Sequence, residues 1–166
     1  MSARPPAGEG TPVSEAMTVE QIAAHLKSME GPCGAPDSMP IESLSVRRMA
    51  LCIGNPDPIH FDEEAAKARG YRGIVAPWPL LWLVFFNCRN APLKFPFGKA
   101  TIHGGDSYEF HEPMIVGDTV IVTASVSETS VKQGKAGPMG ITVMRREFRN
   151  QHGQLCAIMD TTNIRR

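Results

Sequence analysis

The segment Trp78-Pro79-Leu80-Leu81-Trp82-Leu83-Val84-Phe85-Phe86-Asn87-Cys88-Arg89 constrains the fold more than any other, because it is apolar on every side over several helical turns. Pro79 is tolerated in the first turn, where no intrahelical hydrogen bond needs its missing N–H. A helix apolar all round is expected to be buried all round, so the rest of the chain has to enclose it. Downstream of Pro92, Pro96 and Gly98 the pattern changes to period two and to β-branched residues. That pattern predicts strands over Thr119 to Thr129, Gly140 to Arg149 and Leu155 to Ile164, and a further one over Ala100 to Phe110. Helices first and antiparallel strands after give an α+β domain with the sheet wrapped around the apolar helix.

The connections follow from turn chemistry. Asn150-Gln151-His152-Gly153 joins the last two strands as a hairpin turn, and Gln133-Gly134-Lys135-Ala136-Gly137-Pro138 reads as a longer, flexible connection. Near the N-terminus Thr18 precedes Gln21 by the capping-box spacing, and Ile22, Leu26 and Met29 follow at helical spacing, predicting a helix to about Glu30. Gly31 to Pro36 breaks it, and Pro40 to Leu44 forms a short extended segment. Ser45 then caps a helix through Val46, Met49, Ala50 and Ile53 that Gly54 ends. Asp62 caps another over Glu63 to Ala68, with an acidic first turn suited to the helix dipole. Residues 1–17, rich in Pro, Gly, Ser and Glu without hydrophobic period, are expected to form a disordered tail, leaving one domain over 18–166.

Composition narrows the partners. Seventeen basic residues balance 17 acidic ones, which gives no support for nucleic acid or a charged membrane as partner. The longest apolar run, Ile74 to Phe86, holds two prolines and is too short to span a bilayer, and no signal-peptide core is visible. A soluble, cytoplasmic protein is expected. Cys33, Cys52, Cys88 and Cys156 form no CxxC pair, so neither a zinc knuckle nor a redox motif is written here, and no metal or other cofactor is expected. Cys52 and Cys88 sit in apolar helical patterns and are expected to be small buried hydrophobes.

Chemistry concentrates in Gly54-Asn55-Pro56-Asp57-Pro58-Ile59-His60-Phe61-Asp62. Two prolines fix φ and remove backbone donors, placing Asn55, Asp57 and His60 on a stiff frame. Rigid placement is what proton transfer through a positioned water requires. His103 and Asp106 flank a Gly104-Gly105 interruption of a strand, the mark of a bulge or a close backbone approach. His111, beside Glu112-Pro113, reads as a strand-end hydrogen-bonding residue, and Gly117-Asp118 as a structural turn.

These motifs carry a resemblance. From about Ile41 to Arg166 the chain resembles the MaoC-like hydratases, and more closely the FAS1-like dehydratase (MaoC N-terminal) domain, a single hot-dog domain whose sheet wraps a central helix. The likeness rests on the Gly54 to Asp62 loop, Gly73-Ile74-Val75-Ala76-Pro77, His103 to Pro113, Gly117-Asp118-Thr119 and Gly137-Pro138-Met139. It implies an enoyl-thioester site. In active members the loop reads Gly-Asp-x-Asn-Pro-aliphatic-His. There Asp and His share the attacking water, and backbone donors near the central helix hold the thioester oxygen.

Laid on that pattern, Gly54, Pro58, Ile59 and His60 match, whereas Asn55 stands at the acid position and Asp57 at the amide position. The two side chains are exchanged. His60 then acts as base alone, or Asp57 supplies a carboxylate from a shifted position, and Asn55 positions water. Pro77 falls where many active hydratases carry a glycine N–H, a role for which Trp78 N–H is the substitute. His103 and Gly104 are candidates for the acyl-tunnel rim. Lys132 and Lys135, with Arg145 and Arg146, are candidates to meet the phosphates of coenzyme A, which enters as part of the substrate. Trp78, Trp82, Phe85 and Phe86 are core residues, part of which can line an acyl pocket.

The resemblance implies a hydratase or dehydratase acting on trans-2-enoyl-CoA or 3-hydroxyacyl-CoA thioesters, or on carrier-bound thioesters. Its alternatives are a non-catalytic subunit that shapes the acyl pocket of a heterodimeric hydratase, and an acyl-thioester binding module. A thioesterase matches the loop less well. An isolated hot-dog domain leaves a sheet edge and a helix face open, so a homodimer or a heterodimer with another MaoC-like subunit is expected.

Overall fold

The computed structural model describes residues 17–87 and 93–166. The expected N-terminal tail, but for Met17, and Cys88 lie outside them. Helix α1 (Val19–Ser28) starts on the expected capping box: the Thr18 hydroxyl accepts the Gln21 N–H, and the Gln21 side chain accepts the Thr18 N–H. Two short extended pieces follow, β1 (Gly31–Pro32) and β2 (Asp37–Pro40). The extended stretch therefore ends at Pro40, upstream of where the sequence placed it. Helix α2 (Ser43–Cys52) starts two residues before the expected cap, with Glu42 at the N-cap and no side-chain cap hydrogen bond. Ser45 lies inside the helix, because Ile41, fully buried and tied to Gly117, fixes where the chain enters.

Helix α3 (Glu63–Ala68) is capped by Asp62, whose carboxylate accepts the Glu64 and Ala65 N–H groups. Helix α4 (Leu80–Asn87) is the apolar one. Four long strands follow: β3 (Thr101–Phe110), β4 (Thr119–Gly134), β5 (Gly137–Arg149) and β6 (Leu155–Arg165). They form one six-stranded antiparallel sheet in the order β1-β4-β5-β6-β3, with β2 also on β4. Strand β3 is an edge.

Period-two patterning turns one face of the sheet onto α4. Phe148, Ala157 and Met159 meet Leu80, Leu81 and Val84 there, joined by Val46, Met114, Val120 and Val122. Burying a side chain of this kind contributes about 1.5–3 kcal/mol. A second cluster at the other end of the sheet joins Ile22 and Leu26 of α1 to Phe97.

Three expectations fail for geometric reasons. Phe86 is 73% exposed, because the sheet covers only one side of α4 and Phe86 is two positions, about 200°, from buried Val84. Cys52 is exposed for the same reason: the buried stripe of α2 is Val46 and Ala50, and Cys52 lies two residues past it. The β4–β5 connection is not long, since pairing continues to Gly134↔Gly137 and leaves only Lys135-Ala136 between the strands.

Candidate active site

Gly54 closes α2 with φ at 66°, a left-handed conformation that glycine adopts without strain, and so turns the chain into the loop. The loop then organises itself. Asn55 Oδ1 accepts the Asp57 N–H at 3.0 Å, and Asp57 Oδ1 accepts the Ile59 N–H at 3.2 Å, capping the 3-10 turn Pro58–His60. The Val75 N–H returns to the Ile59 carbonyl at 2.9 Å, stitching the loop to the strand-like segment before α4.

His60 is buried, with 5% of its surface exposed. Its Nδ1 stands 2.7 Å from the Val75 carbonyl, which can only accept, so the ring carries its proton there. Nε2 is then the lone-pair nitrogen, and Asn55 Nδ2 lies 3.0 Å from it. Asp57 turns its hydrogen bonds to other partners than the imidazole. Its second oxygen pairs with Arg69 Nη1 at 2.7 Å. The Ile59 N–H, then the Arg69 guanidinium, hold the Asp57 carboxyl below its ordinary pKa.

Around this group lies a cavity of about 530 Å³ whose wall includes Asn55, Asp57, His60, Pro77, Trp78 and His111. Pro77 has no N–H to offer the cavity. The Trp78 N–H has no acceptor among the described residues. The Trp78 ring packs on Phe110 at 4.4 Å between centroids, fixing the start of α4 against the edge strand.

The other sequence candidates lie elsewhere. His103 lines a second cavity, about 420 Å³, with Trp82, Phe85, Phe86 and Arg146, and its Nε2 is 3.0 Å from the Asp106 carboxylate. The expected bulge is present between His103 and Gly105. Gly104 sits where a Cβ would come within 2.9 Å of Thr162 Cγ2, so its lack of a side chain lets β3 pass close to β6. Lys135 is in the turn of the β4–β5 hairpin and Lys132 three residues before it in β4, opposite Met139; Lys135 lines a third cavity of about 960 Å³ with Phe95, Phe97 and Lys99. Within one chain they do not join the His60 cavity. Arg145 is committed to a bidentate pair with Asp160 at 2.9 and 2.7 Å, and Arg146 lies buried 4.5 Å from the Phe85 ring centroid.

Two residues of the site escaped the sequence reading. His111 does continue the strand ladder through its N–H to the Cys156 carbonyl at 2.9 Å, yet it also stands in the cavity wall. That place follows from the Val75↔Ile115 bridge, a long-range pairing that no local pattern announces. Arg69 lies 12 residues beyond Asp57, and the only local signal for their meeting was the short capped helix between them. Asp118 keeps its structural reading: fully buried, it accepts from Arg72, the Ile115 N–H and Gln151. Among the described residues, no group of three or more His, Cys, Asp and Glu side chains is arranged to hold a metal ion, and no helix is long and apolar enough to cross a membrane.

A sheet wrapped on one apolar helix, with a histidine-bearing loop at the helix start, defines the hot-dog class of the MaoC-like dehydratases and hydratases. The family model described as "FAS1-like, dehydratase domain region" matches residues 14–159, and the chain belongs to that family. A UPF0336 protein of Streptomyces avermitilis is 29% identical over 85 residues, 49% of this chain and 57% of that one, so the match spans little more than half of that relative's length. Among solved structures, a chain of the ChsH1-ChsH2 complex from Mycobacterium tuberculosis superposes with a TM-score of 0.69 at 18% identity, covering 89% of this chain and 95% of that chain. A chain of the HadBC (3R-hydroxyacyl-ACP dehydratase) complex from the same organism gives 0.61 at 22% identity, covering 81% and 95%. At these identities the structural likeness establishes the shared fold.

Proposed function

We propose that this chain is a hydratase/dehydratase subunit that acts on trans-2-enoyl and 3-hydroxyacyl thioesters, with His60 as its acid–base residue. The observation that carries the reading is the buried His60 ring, anchored through Nδ1 on Val75, with its lone-pair nitrogen beside Asn55 in the cavity wall. In the hydration direction water takes the place of the Asn55 amide at Nε2 and gives it a proton as the oxygen attacks the β-carbon, and the protonated ring returns a proton to the α-carbon. Charge that develops on the thioester oxygen is met by the Trp78 N–H, a donor with no acceptor among the described residues, just before α4. Asn55 orients the ring and the water but accepts no proton. The acyl tail runs toward the aromatic cavity of Trp82, Phe85 and Phe86, with His103 at its rim and Gly104 beside it in the strand. Lys132 and Lys135 meet the phosphates of coenzyme A, or the phosphate of a carrier's phosphopantetheine arm, from the hairpin of an adjoining subunit.

The partner is a second hot-dog subunit, either a copy of this chain or another MaoC-like protein. Strand β3 is an edge among the described residues, Phe110 at its end and Phe86 of α4 are exposed, and both solved structures described above are complexes.

One specific observation favours a second reading, in which this chain shapes the acyl pocket while its partner performs the chemistry. The Asn55 amide occupies the neighbourhood of His60 Nε2 where a carboxylate would otherwise stand. A single assay separates the two: loss of the enoyl-thioester absorbance, scored for this chain alone and mixed with a MaoC-like partner. Turnover that disappears in His60→Ala supports the catalytic role. Turnover that needs the partner and is indifferent to His60→Ala assigns the chemistry to the partner.

A further inference from the structure

We propose that Arg69 is a positioning residue for the His60 ring, acting through Asp57 and Asn55, an inference that rests on His60 being the acid–base group. Both oxygens of Asp57 are engaged, one by the Ile59 N–H at 3.2 Å and the other by Arg69 at 2.7 Å. So held, Asp57 presents its own backbone N–H to Asn55 Oδ1 at 3.0 Å. A backbone N–H can only donate, so this contact fixes which end of the Asn55 amide faces it and which end faces His60. The amide nitrogen is therefore the atom 3.0 Å from Nε2, while the Val75 carbonyl holds the proton on Nδ1. Each contact leaves the next group one orientation, from the guanidinium to the imidazole.

Helix α3 makes Arg69 a stiff anchor. Asp62 caps its start, Arg69 is its C-cap residue with its N–H on the Ala66 carbonyl, and Ala66 is buried in one cluster with Ile59, Val75 and Ile115. The segment that carries Arg69 is thus packed on the residues that flank His60. As a mere surface ion pair, with side chains 53% and 32% exposed, Arg69 and Asp57 would matter little to anything beyond themselves.

The test uses the full chain, with its partner where turnover requires one, and carries Arg69→Gln, Arg69→Lys, Asp57→Asn and the double variant Asp57→Asn/Arg69→Gln. The direct readout is the ring ¹⁵N signature of His60, assigned by its loss in His60→Ala. In the wild type the Nε2 signal reports the Asn55 contact and the Nδ1 signal the Val75 carbonyl; Arg69→Gln shifts or broadens the Nε2 signal and leaves the Nδ1 signal in place. Alongside it, kcat falls by about tenfold while KM stays within about threefold, the signature of a lost alignment and not of lost binding. Arg69→Lys restores most of the rate, and the double variant is no worse than either single one, as expected of residues acting as one unit. An unchanged His60 signature in Arg69→Gln overturns the inference. A far larger loss in Asp57→Asn than in Arg69→Gln overturns it as well, because Asp57 would then touch the reacting atoms itself. Absence of turnover by the wild type with any partner removes the hydratase reading, and the ring signature still decides the role of Arg69.

Discussion

Asn55 Nδ2 lies 3.0 Å from His60 Nε2, so the position at which the MaoC-like pattern has a carboxylate holds an amide that cannot take a proton. The backbone around it is already set for the acid. One oxygen of an aspartate at this position would accept the Asp57 N–H, as Asn55 Oδ1 now does at 3.0 Å, and the other would stand where Nδ2 now lies beside His60 Nε2, a second proton acceptor for the proposed reaction. For the proposed reaction, Asn55→Asp is therefore expected to raise the hydration rate by at least about tenfold, a modest share of the 10²–10⁴ that a positioned acid or base supplies. The measurement is the initial rate of enoyl-thioester loss against wild type, with Asn55→Asp/His60→Ala as the blank. A variant no faster than wild type would mean that a second proton acceptor is not what limits the reaction.

Asp118 predicts a pH dependence of stability. Burial works to raise its pKa, but the Arg72 guanidinium, the Ile115 N–H and Gln151 outweigh burial and hold the carboxyl below its ordinary value. A depressed carboxylate stabilises the fold above its unfolded-state pKa, about 4, and that contribution is lost as pH falls through the lowered value. Asp118→Asn is expected to cost about 2 kcal/mol at neutral pH, since it leaves Arg72 without its charge partner and a buried hydrogen-bond network incomplete. Urea denaturation of both proteins from neutral to acidic pH checks the sign. The gap between them should narrow on acidification, and a gap that widens contradicts the assignment.

The sequence made most of the architecture legible where one period dominated. Leu80, Leu81 and Val84 announced a buried helix, and the alternation in Gly140 to Arg149 announced the inward face of β5. What local pattern could not show was which side of each element its neighbours would leave uncovered. Phe86 and Cys52 are apolar residues on the open sides of α4 and α2, and only the assembled sheet distinguishes them from Val84 and Ala50. At the site, the loop between α2 and the 3-10 turn was legible from Gly54 and its two prolines. The direction of Asp57 was not, because it depends on Arg69, which belongs to a different element.

Gly104 offers a test of the bulge that carries His103. A Cβ there would stand 2.9 Å from Thr162 Cγ2 and 3.2 Å from the Thr162 carbonyl oxygen, and the carbonyl cannot move without breaking the β3–β6 ladder. Gly104→Val should therefore destabilise the domain by about 1–3 kcal/mol, the usual cost of overpacking. Thermal unfolding measures this, and Gly105→Ala makes a useful contrast. At Gly105 a Cβ meets nothing within 4 Å, but φ is 134°, so its cost comes from backbone strain alone.

The open edge makes a prediction about assembly that is independent of the chemistry. Phe86 is stacked on Trp82 at 5.5 Å and 73% exposed, while Phe110 is stacked on Tyr108 at 5.9 Å and 46% exposed. Trp82 and Tyr108 meet at 6.3 Å, so the four rings form one aromatic strip from α4 to strand β3, whose outer edge pairs with no strand among the described residues. Exposed aromatic surface beside an open strand is costly to leave in water and is the kind of surface a second subunit covers. Phe86→Glu should therefore weaken self-association, or association with a MaoC-like partner, by about tenfold or more, since a charge would have to be buried without a partner. Its melting temperature at low protein concentration should stay close to wild type, because the ring contributes little to the core of the single chain. Sedimentation velocity over a concentration series reads the first quantity and thermal unfolding the second. An unchanged dissociation constant with a collapsed melting point would place Phe86 in the core of the subunit and move the interface elsewhere.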